Sequence, residues 1–441
     1  METHPSSQRV TSLYGENFRP DFHFTPERNW MNDPNGLLFY KGKYHLFYQH
    51  NPEGILWGNM SWGHATSTDL LQWEHHPVAI SFDQDFGIFS GSAVVDYTNS
   101  TGFGSLDNPP MVAIYTAHRH DGSHQSQHLA YSLDDGLTWV KYEGNPVLDL
   151  GMKDFRDPKV SWDPTTNTWL MTVSKPNDFT IAFFRSDDLK KWEHLSDFGP
   201  LGATGGCWEC PDLFSLTSPT GAKKWVLIVS LNPGGVTGGS GTQYFIGDWD
   251  GTSFTTSQDK TLWIDYGRDN YAGVTFNNLD NDNRIFIGWM SNWEYGLKIP
   301  TPIWRSSMTA PRQLELLEVS GELLLTANPI KEIPSKYRQE ITCSADESFN
   351  IEITNNEKKV IVTFDATSKK ISINRSGAWF DGIDDAPQIS PAISPKEFKT
   401  VIVLDNGSLE LFIPEAGLSM TSLTSLSTAG ATLQKTAKRL P

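Results

Sequence analysis

The chain has no apolar run long enough to cross a membrane as a helix, no long tract of lysine and arginine, and only three cysteines in 441 residues. Each shortage excludes something. Without a transmembrane-length segment, no membrane partner is expected. With 52 acidic residues against 35 basic ones and a net charge of −17, nucleic acid is not an expected partner either, since binding it needs clustered positive charge. An uncharged ligand suits this balance. Cys207, Cys210 and Cys343 are too few to frame the fold with disulfides. Cys207 and Cys210 form a lone C-x-x-C, which lacks the second ligand pair of a zinc site and the βαβ context of a redox motif. Long helical periodicity is scarce too. The opening "METHPSSQRV" has no apolar core of an export signal, while four N-x-S/T sequons, at Asn59, Asn99, Asn374 and Asn406, leave the compartment open.

What the sequence does hold is tryptophan, 16 residues of it, and many short β-rich runs bounded by turn residues. Five runs look alike: "YHLFYQHN" from Tyr44, "MVAIYTAH" from Met111, "WLMTVSK" from Trp169, "WVLIVSLN" from Trp225 and "RIFIGWMSN" from Arg284. A second motif keeps the same beat: "STDLLQWE", "SLDDGLTW", "SDDLKKWE" and, more loosely, "GDWDGTSF". Several strands per period of about 60 residues, repeated in a constant order, is the pattern of propeller blades. The reading is all-β: a five-bladed β-propeller over residues 17–311, then a β-sandwich over 312–441. The Ser/Thr-rich tail from about Thr421 is expected to be loosely packed.

Three of the five runs follow a motif that carries an acid: "WMNDPNG" with Asp33, "FRDPKVSW" with Asp157 and "CWECPDLF" with Glu209. Taken singly, Asp-Pro is turn chemistry, and Asn35-Gly36 after Pro34 reads as a tight turn. Taken together, the acids hold equivalent places in three blades and converge on the propeller's central funnel. Unpaired carboxylates gathered there repel one another, so a function is the better explanation. Two carboxylates across a bond, with a third group, are the equipment for glycoside cleavage. Glu209, beside Trp208 and an apolar Cys-Pro step, is the better acid/base, and Asp33, with amides nearby, the better nucleophile.

At these motifs the sequence resembles the invertase, exo-inulinase and levanase family of glycoside hydrolases. The similarity runs on through "FYQHNP", "WGNMSWGHA", "FSGSAVV", "LNPGG", "GTQYFIGDWDG" and "GWMSNWEYG", over about residues 20 to 312. It looks closest to the fungal exo-inulinase and fructofuranosidase branch. The resemblance implies a five-bladed propeller followed by a sandwich, here a shortened one, and retaining release of terminal β-D-fructofuranosyl units from sucrose, fructo-oligosaccharides, inulin or levan. It implies Asp33 as nucleophile, Glu209 as acid/base and Asp157 as transition-state stabiliser. Asn32, Gln49, Trp57, Phe89, Ser90, Arg156 and Trp293 are implied as substrate contacts, Phe89 and Trp293 being apolar walls. No metal and no cofactor is expected, and a homodimer is compatible with the family. Secretion is the family norm, but an intracellular location fits a chain with no visible signal.

Two segments are decoys. "HRHDGSHQSQH", residues 118–128, is rich in histidine but reads as a polar hairpin loop, and "DNDNR" near Asp282 reads as a turn rather than a calcium loop. The alternatives to a hydrolase are a fructosyltransferase, in which a sugar hydroxyl replaces water, and a catalytically silent sugar-binding propeller.

Overall fold

The computed structural model describes residues 18–280 and 283–437. Two of the residues in "DNDNR", Asn281 and Asp282, lie outside the described residues, as do residue 17 and residues 438–441 at the ends of the expected domains. Seven sheets, antiparallel except for one short parallel pairing of Asn29–Tyr40 with Trp304–Arg305, carry the described residues, and four one-turn 3-10 segments are the only helical elements among them.

Five sheets follow one another along residues 29–329, each built mainly by strands that pair in chain order. Their first strands are Asn29–Tyr40, Phe86–Val95, Arg156–Asp163, Cys207–Thr217 and Tyr271–Thr275. Each of these packs against the next, and the fifth packs against the first, so they close a ring. Adjoining sheets bury apolar side chains between them, such as Val112, Ile114 and Leu129 against Val160, Met171 and Phe184. The recurring Ser-x-Asp…Trp motif forms the connection from the third to the fourth strand. Asp69 Oδ1 accepts the amides of Leu71 and Gln72 at 2.9 and 2.8 Å, and Asp188 Oδ1 those of Lys190 and Lys191 at 2.9 Å. The tryptophan closes each turn: the indole N–H of Trp73, Trp139 and Trp192 donates to the carbonyl three residues back. The motif therefore repeats because it is one turn used three times.

Beneath its mouth the ring is tied together by buried polar side chains. Asn277 Nδ2 donates to the carbonyls of Ala93 and Val160 at 2.8 and 2.9 Å. Lys159 Nζ lies 3.3 Å from Asp212 and donates to the Thr275 carbonyl. Asp212 Oδ2 in turn accepts the amide and hydroxyl of Thr275, both at 2.8 Å. One buried carboxylate thus joins three first strands, and its charge is matched, as burial requires.

The strand Arg312–Val319 lies just past the expected domain boundary at 311/312 but belongs to the fifth sheet, pairing Phe286 with Arg312 and Ile285 with Gln313. Glu322–Pro329 extends the same sheet. The alternation of apolar and polar residues in "LELLEVSGELLLTANP" fits strands, but alternation does not say which sheet a strand joins.

Beyond residue 329, a four-stranded sheet (Arg338–Ser344, Glu397–Asp405, Ser408–Ile413, Leu418–Leu423) and a five-stranded one share a core that includes Ile351, Val362, Phe364, Ile402, Leu411 and Met420. The expectation of a loose tail from Thr421 is corrected: Thr421 and Ser422 are fully buried within a strand, and Thr432–Ala437 pairs with Phe349–Asn355. Hydroxyls that read as solvent-facing point into a polar seam, where Thr421 Oγ1 donates to Asp265 at 2.6 Å. The chain before the first sheet straps the two parts together, with the amides of Asp21, Phe22 and His23 all donating to the Asp405 carboxylate.

Candidate active site

The segment "NWMNDPNG" is not the tight turn that Pro34 and Asn35-Gly36 suggested. It lies within the strand Asn29–Tyr40, which is interrupted by two bulges. Gly36, at φ 52°, stands in the second, where a β-carbon would meet the Phe47 ring at 2.7 Å. Turn-forming residues serve a bulged strand equally well, because both need backbone outside the extended region.

The same device recurs in all five first strands. Three residue steps on the first strand oppose two on its neighbour at Met31–Pro34, Ile88–Gly91, Arg156–Lys159, Glu209–Asp212 and Tyr271–Val274. Asp157 (φ 67°), Cys210 (φ 49°) and Ala272 (φ 53°) adopt left-handed backbone inside these bulges. An extra residue breaks the in-and-out alternation and re-aims a side chain. Here it brings groups from different sheets into one cluster at the mouth of the ring.

Asp33 accepts hydrogen bonds from Ser90 Oγ at 2.7 Å and from Asn32 Nδ2 at 2.9 Å, and the Cys210 thiol at 3.6 Å. The same thiol lies 3.6 Å from Asp157 Oδ2, which also accepts the Cys210 amide at 2.9 Å. One residue therefore contacts two of the three carboxylates. Glu209 is gripped on both oxygens: Arg156 Nε donates to Oε1 at 3.1 Å, and the Tyr271 hydroxyl donates to Oε2. Arg156 also reaches Asp154 at 3.1 Å and Gln125 at 3.4 Å.

Burial and mutual repulsion set the electrostatics. Desolvation, with Glu209 nearby, raises Asp33 above the usual aspartate value, against the hydrogen bonds from Ser90 and Asn32. Asp157 is pushed up to about 7 by burial first, then by Glu209 and Asp33, with Arg156 pulling the other way. Burial raises the Cys210 thiol, and the three surrounding carboxylates raise it further. Tyr271 is likewise raised, first by burial and then by Glu209, so its hydroxyl stays protonated and donates. Burial disfavours the Arg156 charge, but Glu209, Asp157 and Asp154 outweigh it, and Arg156 stays cationic.

The remaining expected contacts surround this cluster. Trp57, 46% exposed, meets Phe89 edge-on at 5.9 Å, and Phe89 stacks on His118 at 4.3 Å. Trp293 stacks on Trp30 at 5.8 Å, and the Trp30 indole donates to Asn32 at 2.6 Å. Gln49 is buried, and its amide donates to the Ile88 carbonyl at 3.0 Å, at the bulge that carries Phe89 and Ser90. All three cysteines are free; Cys207 bonds Asn177 at 3.3 Å rather than pairing with Cys210. The histidine-rich stretch is the hairpin between Met111–Arg119 and Gln125–Ser132, and it turns His118 towards the Phe89 wall.

Sequence reasoning missed Tyr271, Cys210 as a contact of Asp33 and Asp157, and Trp30. Cys210 stands next to Glu209 in a motif already singled out, so its position was available. Tyr271 opens a five-residue strand and lies in none of the acid-bearing motifs.

Three clustered acids, one held by an arginine and a tyrosine, with tryptophan and phenylalanine rings beside them, have the make-up of a carbohydrate-cleaving site. The model of the glycosyl hydrolases family 32 N-terminal domain matches residues 23–328, and the chain belongs to that family. It is 49% identical over 331 residues to the levanase of Bacillus subtilis, covering 73% of this chain and 48% of that protein. It is 43% identical over 396 residues to the extracellular exo-inulinase of Aspergillus ficuum, covering 81% of this chain and 74% of that protein. The chain thus spans about half of the levanase and about three quarters of the exo-inulinase. The crystal structure of exo-inulinase from Aspergillus awamori superposes with a TM-score of 0.88 at 35% identity, covering 96% of each chain. The β-fructofuranosidase of Schwanniomyces occidentalis, complexed with fructosyl-erythritol, gives 0.86 at 31% identity, covering 98% of this chain and 96% of that one. The fold is the family's β-propeller followed by a β-sandwich, and the protein is a glycoside hydrolase.

Proposed function

We propose that this glycoside hydrolase releases terminal β-D-fructofuranosyl units from sucrose and fructans, acting from the chain end and with retention. The observation that carries the reading is the unequal treatment of the three carboxylates. Glu209 is held by an arginine and a tyrosine, whereas Asp33 accepts from Ser90, Asn32 and a thiol that it shares with Asp157. We read the closed ring of five first strands as a five-bladed propeller ending after Pro329, with the sandwich following.

Asp33 attacks C2 of the fructosyl unit, the C2–oxygen bond to the leaving group breaks, and Glu209 delivers its proton to the departing oxygen. Glu209 then takes a proton from water, whose oxygen displaces the Asp33 ester and restores the starting configuration. Asp157 and Arg156 grip the sugar hydroxyls, and the anionic pocket offsets the positive charge that develops at C2. Trp57, Phe89 and Trp293 give the ring apolar walls, with Asn32, Gln49 and Ser90 as the adjoining polar groups.

Incubation with sucrose, inulin and levan, with products identified over time, is expected to show free fructose appearing one unit at a time, the β-furanose anomer first by NMR. An inverted first product, or trisaccharides in place of fructose at high sucrose, overturns retaining hydrolysis. Glu209→Gln is expected to lower kcat on sucrose by roughly 10²–10⁴-fold, and full activity in that variant removes Glu209 from its role.

A further inference from the structure

The "INRSG" segment of the second unit had no part in the chemistry, yet its arginine reaches the first unit. Arg375 is fully buried beneath Trp379, with the guanidinium 3.5 Å from the ring centre. It donates to Asp385 at 2.8 and 3.0 Å, to Asp269 at 2.7 Å, to the Leu423 carbonyl at 2.8 Å and to the Tyr295 hydroxyl at 3.1 Å. The Tyr295 hydroxyl in turn donates to Asp269 at 2.6 Å. Tyr295 ends the short turn that displays Trp293, and Asn292 holds the other end by bonding the carbonyls of Gly238 and Arg268. Trp293 lies on Trp30, Trp30 donates to Asn32, and Asn32 donates to Asp33. The path from the second unit to a catalytic carboxylate is contiguous: its links are packed rings and hydrogen bonds, joined at Tyr295 and Trp293 by the backbone of one turn.

We propose that Arg375 is a positioning residue for the active site, acting through Tyr295 on Trp293 and through Trp30 and Asn32 on Asp33. This rests on the roles of Asp33 and Trp293 given above. Six guanidinium hydrogen bonds to fixed partners, the sixth to Ser422 Oγ at 3.4 Å, leave Arg375 one orientation, and that orientation sets where Tyr295 sits. A wall anchored at both ends keeps a single stacking geometry against the sugar, which positioning demands. The second unit thereby takes part in substrate binding without touching substrate.

The test compares Tyr295→Phe and Arg375→Met with Phe398→Leu, a substitution in the buried core of the second unit that lies off this path. Steady-state kinetics on sucrose are run well below each variant's Tm, across pH. Tyr295→Phe and Arg375→Met are expected to lower kcat/KM by about 5- to 30-fold, mostly through KM, and to shift the acidic limb of the pH profile. Arg375→Met is expected to add little in a Trp293→Ala background, since the two then share one pathway. Phe398→Leu is expected to lower Tm while keeping the wild-type KM and pH profile. Wild-type KM and pH profile in Tyr295→Phe overturn the proposal, as does an equal KM change in Phe398→Leu. If Arg375→Met does not fold, Tyr295→Phe, which deletes a single oxygen, decides the matter. A wild-type protein that releases fructose from no fructoside instead defeats the functional reading on which the proposal stands.

Discussion

His23 offers a sharp test of how the two units are held together. Its imidazole is wholly buried, with Nδ1 3.0 Å from Asp405 and Nε2 2.7 Å from Glu410. Burial alone would lower its pKa, but hydrogen bonds and charge from the two carboxylates more than reverse this, pushing it from 6.5 up to about 9. Glu410 also pairs with Arg312 at 2.5 Å, so the imidazolium sits in a balanced cluster rather than beside lone anions. At about 1.4 kcal/mol per pKa unit, the rise corresponds to about 3 kcal/mol of stability. Because the folded value is the higher one, this contribution is complete below pH 6.5, shrinks as pH rises, and is gone above about 9. His23→Gln has no group to titrate there. Urea unfolding of both proteins from pH 5.5 to 10 is expected to show the wild type's advantage falling by about 3 kcal/mol across that window, with the urea dependence unchanged. A difference that stays flat, or grows with pH, refutes the view that a charged His23 joins the two units.

Three further outcomes follow from the site and the ring. Asp157 is held up to about 7 against an ordinary 3.8, so its charge costs the folded state stability as pH rises between those values. Asp157→Asn is therefore expected to unfold at a higher temperature than wild type at pH 8, with a gain of up to about 4 kcal/mol, while losing nearly all activity; thermal melts at pH 4 and pH 8 check it, the gain being absent at pH 4. Lys159→Met strips Asp212 of its cation within the ring and is expected to cost about 3–5 kcal/mol, with Lys159→Met/Asp212→Asn less affected in chemical denaturation. Gly91 follows Ser90 in the second sheet's bulge, and a β-carbon there would lie 2.1 Å from the Ile114 carbonyl oxygen. Gly91→Ala is expected to displace Ser90 from Asp33, lowering kcat/KM and Tm together, and wild-type values of both refute the close approach.

Much of the site was legible because its acids sit in short motifs at similar distances ahead of a repeated strand. Asp33, Asp157 and Glu209 could be assigned to three corresponding first strands from spacing alone, although they stand at successive positions of the shared bulge rather than at equivalent ones, and the resemblance supplied Asn32, Ser90, Arg156 and the aromatic walls. Tyr271 was not legible: it is an apolar-looking residue opening a short strand, and only ring closure brings its hydroxyl to Glu209. The bulges were hidden for a different reason. Asp-Pro-Asn-Gly satisfies a turn and a bulged strand alike, and the choice depends on whether a partner strand lies alongside, which here is Lys43–Asn51. Fifth-sheet membership of Arg312–Val319 and the burial of Thr421 likewise depend on partners distant in sequence.

The chain's own chemistry therefore determined the class of structure and the identity of the acids, because period, turn residues and motif spacing are local properties that need no partner to be read. Which residues share a pocket, which hydroxyls are buried and how the second unit reaches the first were decided only on folding. Those contacts join residues up to hundreds of positions apart, as His23 and Glu410 do, and their energies come from burial and pairing that exist only once the ring has closed.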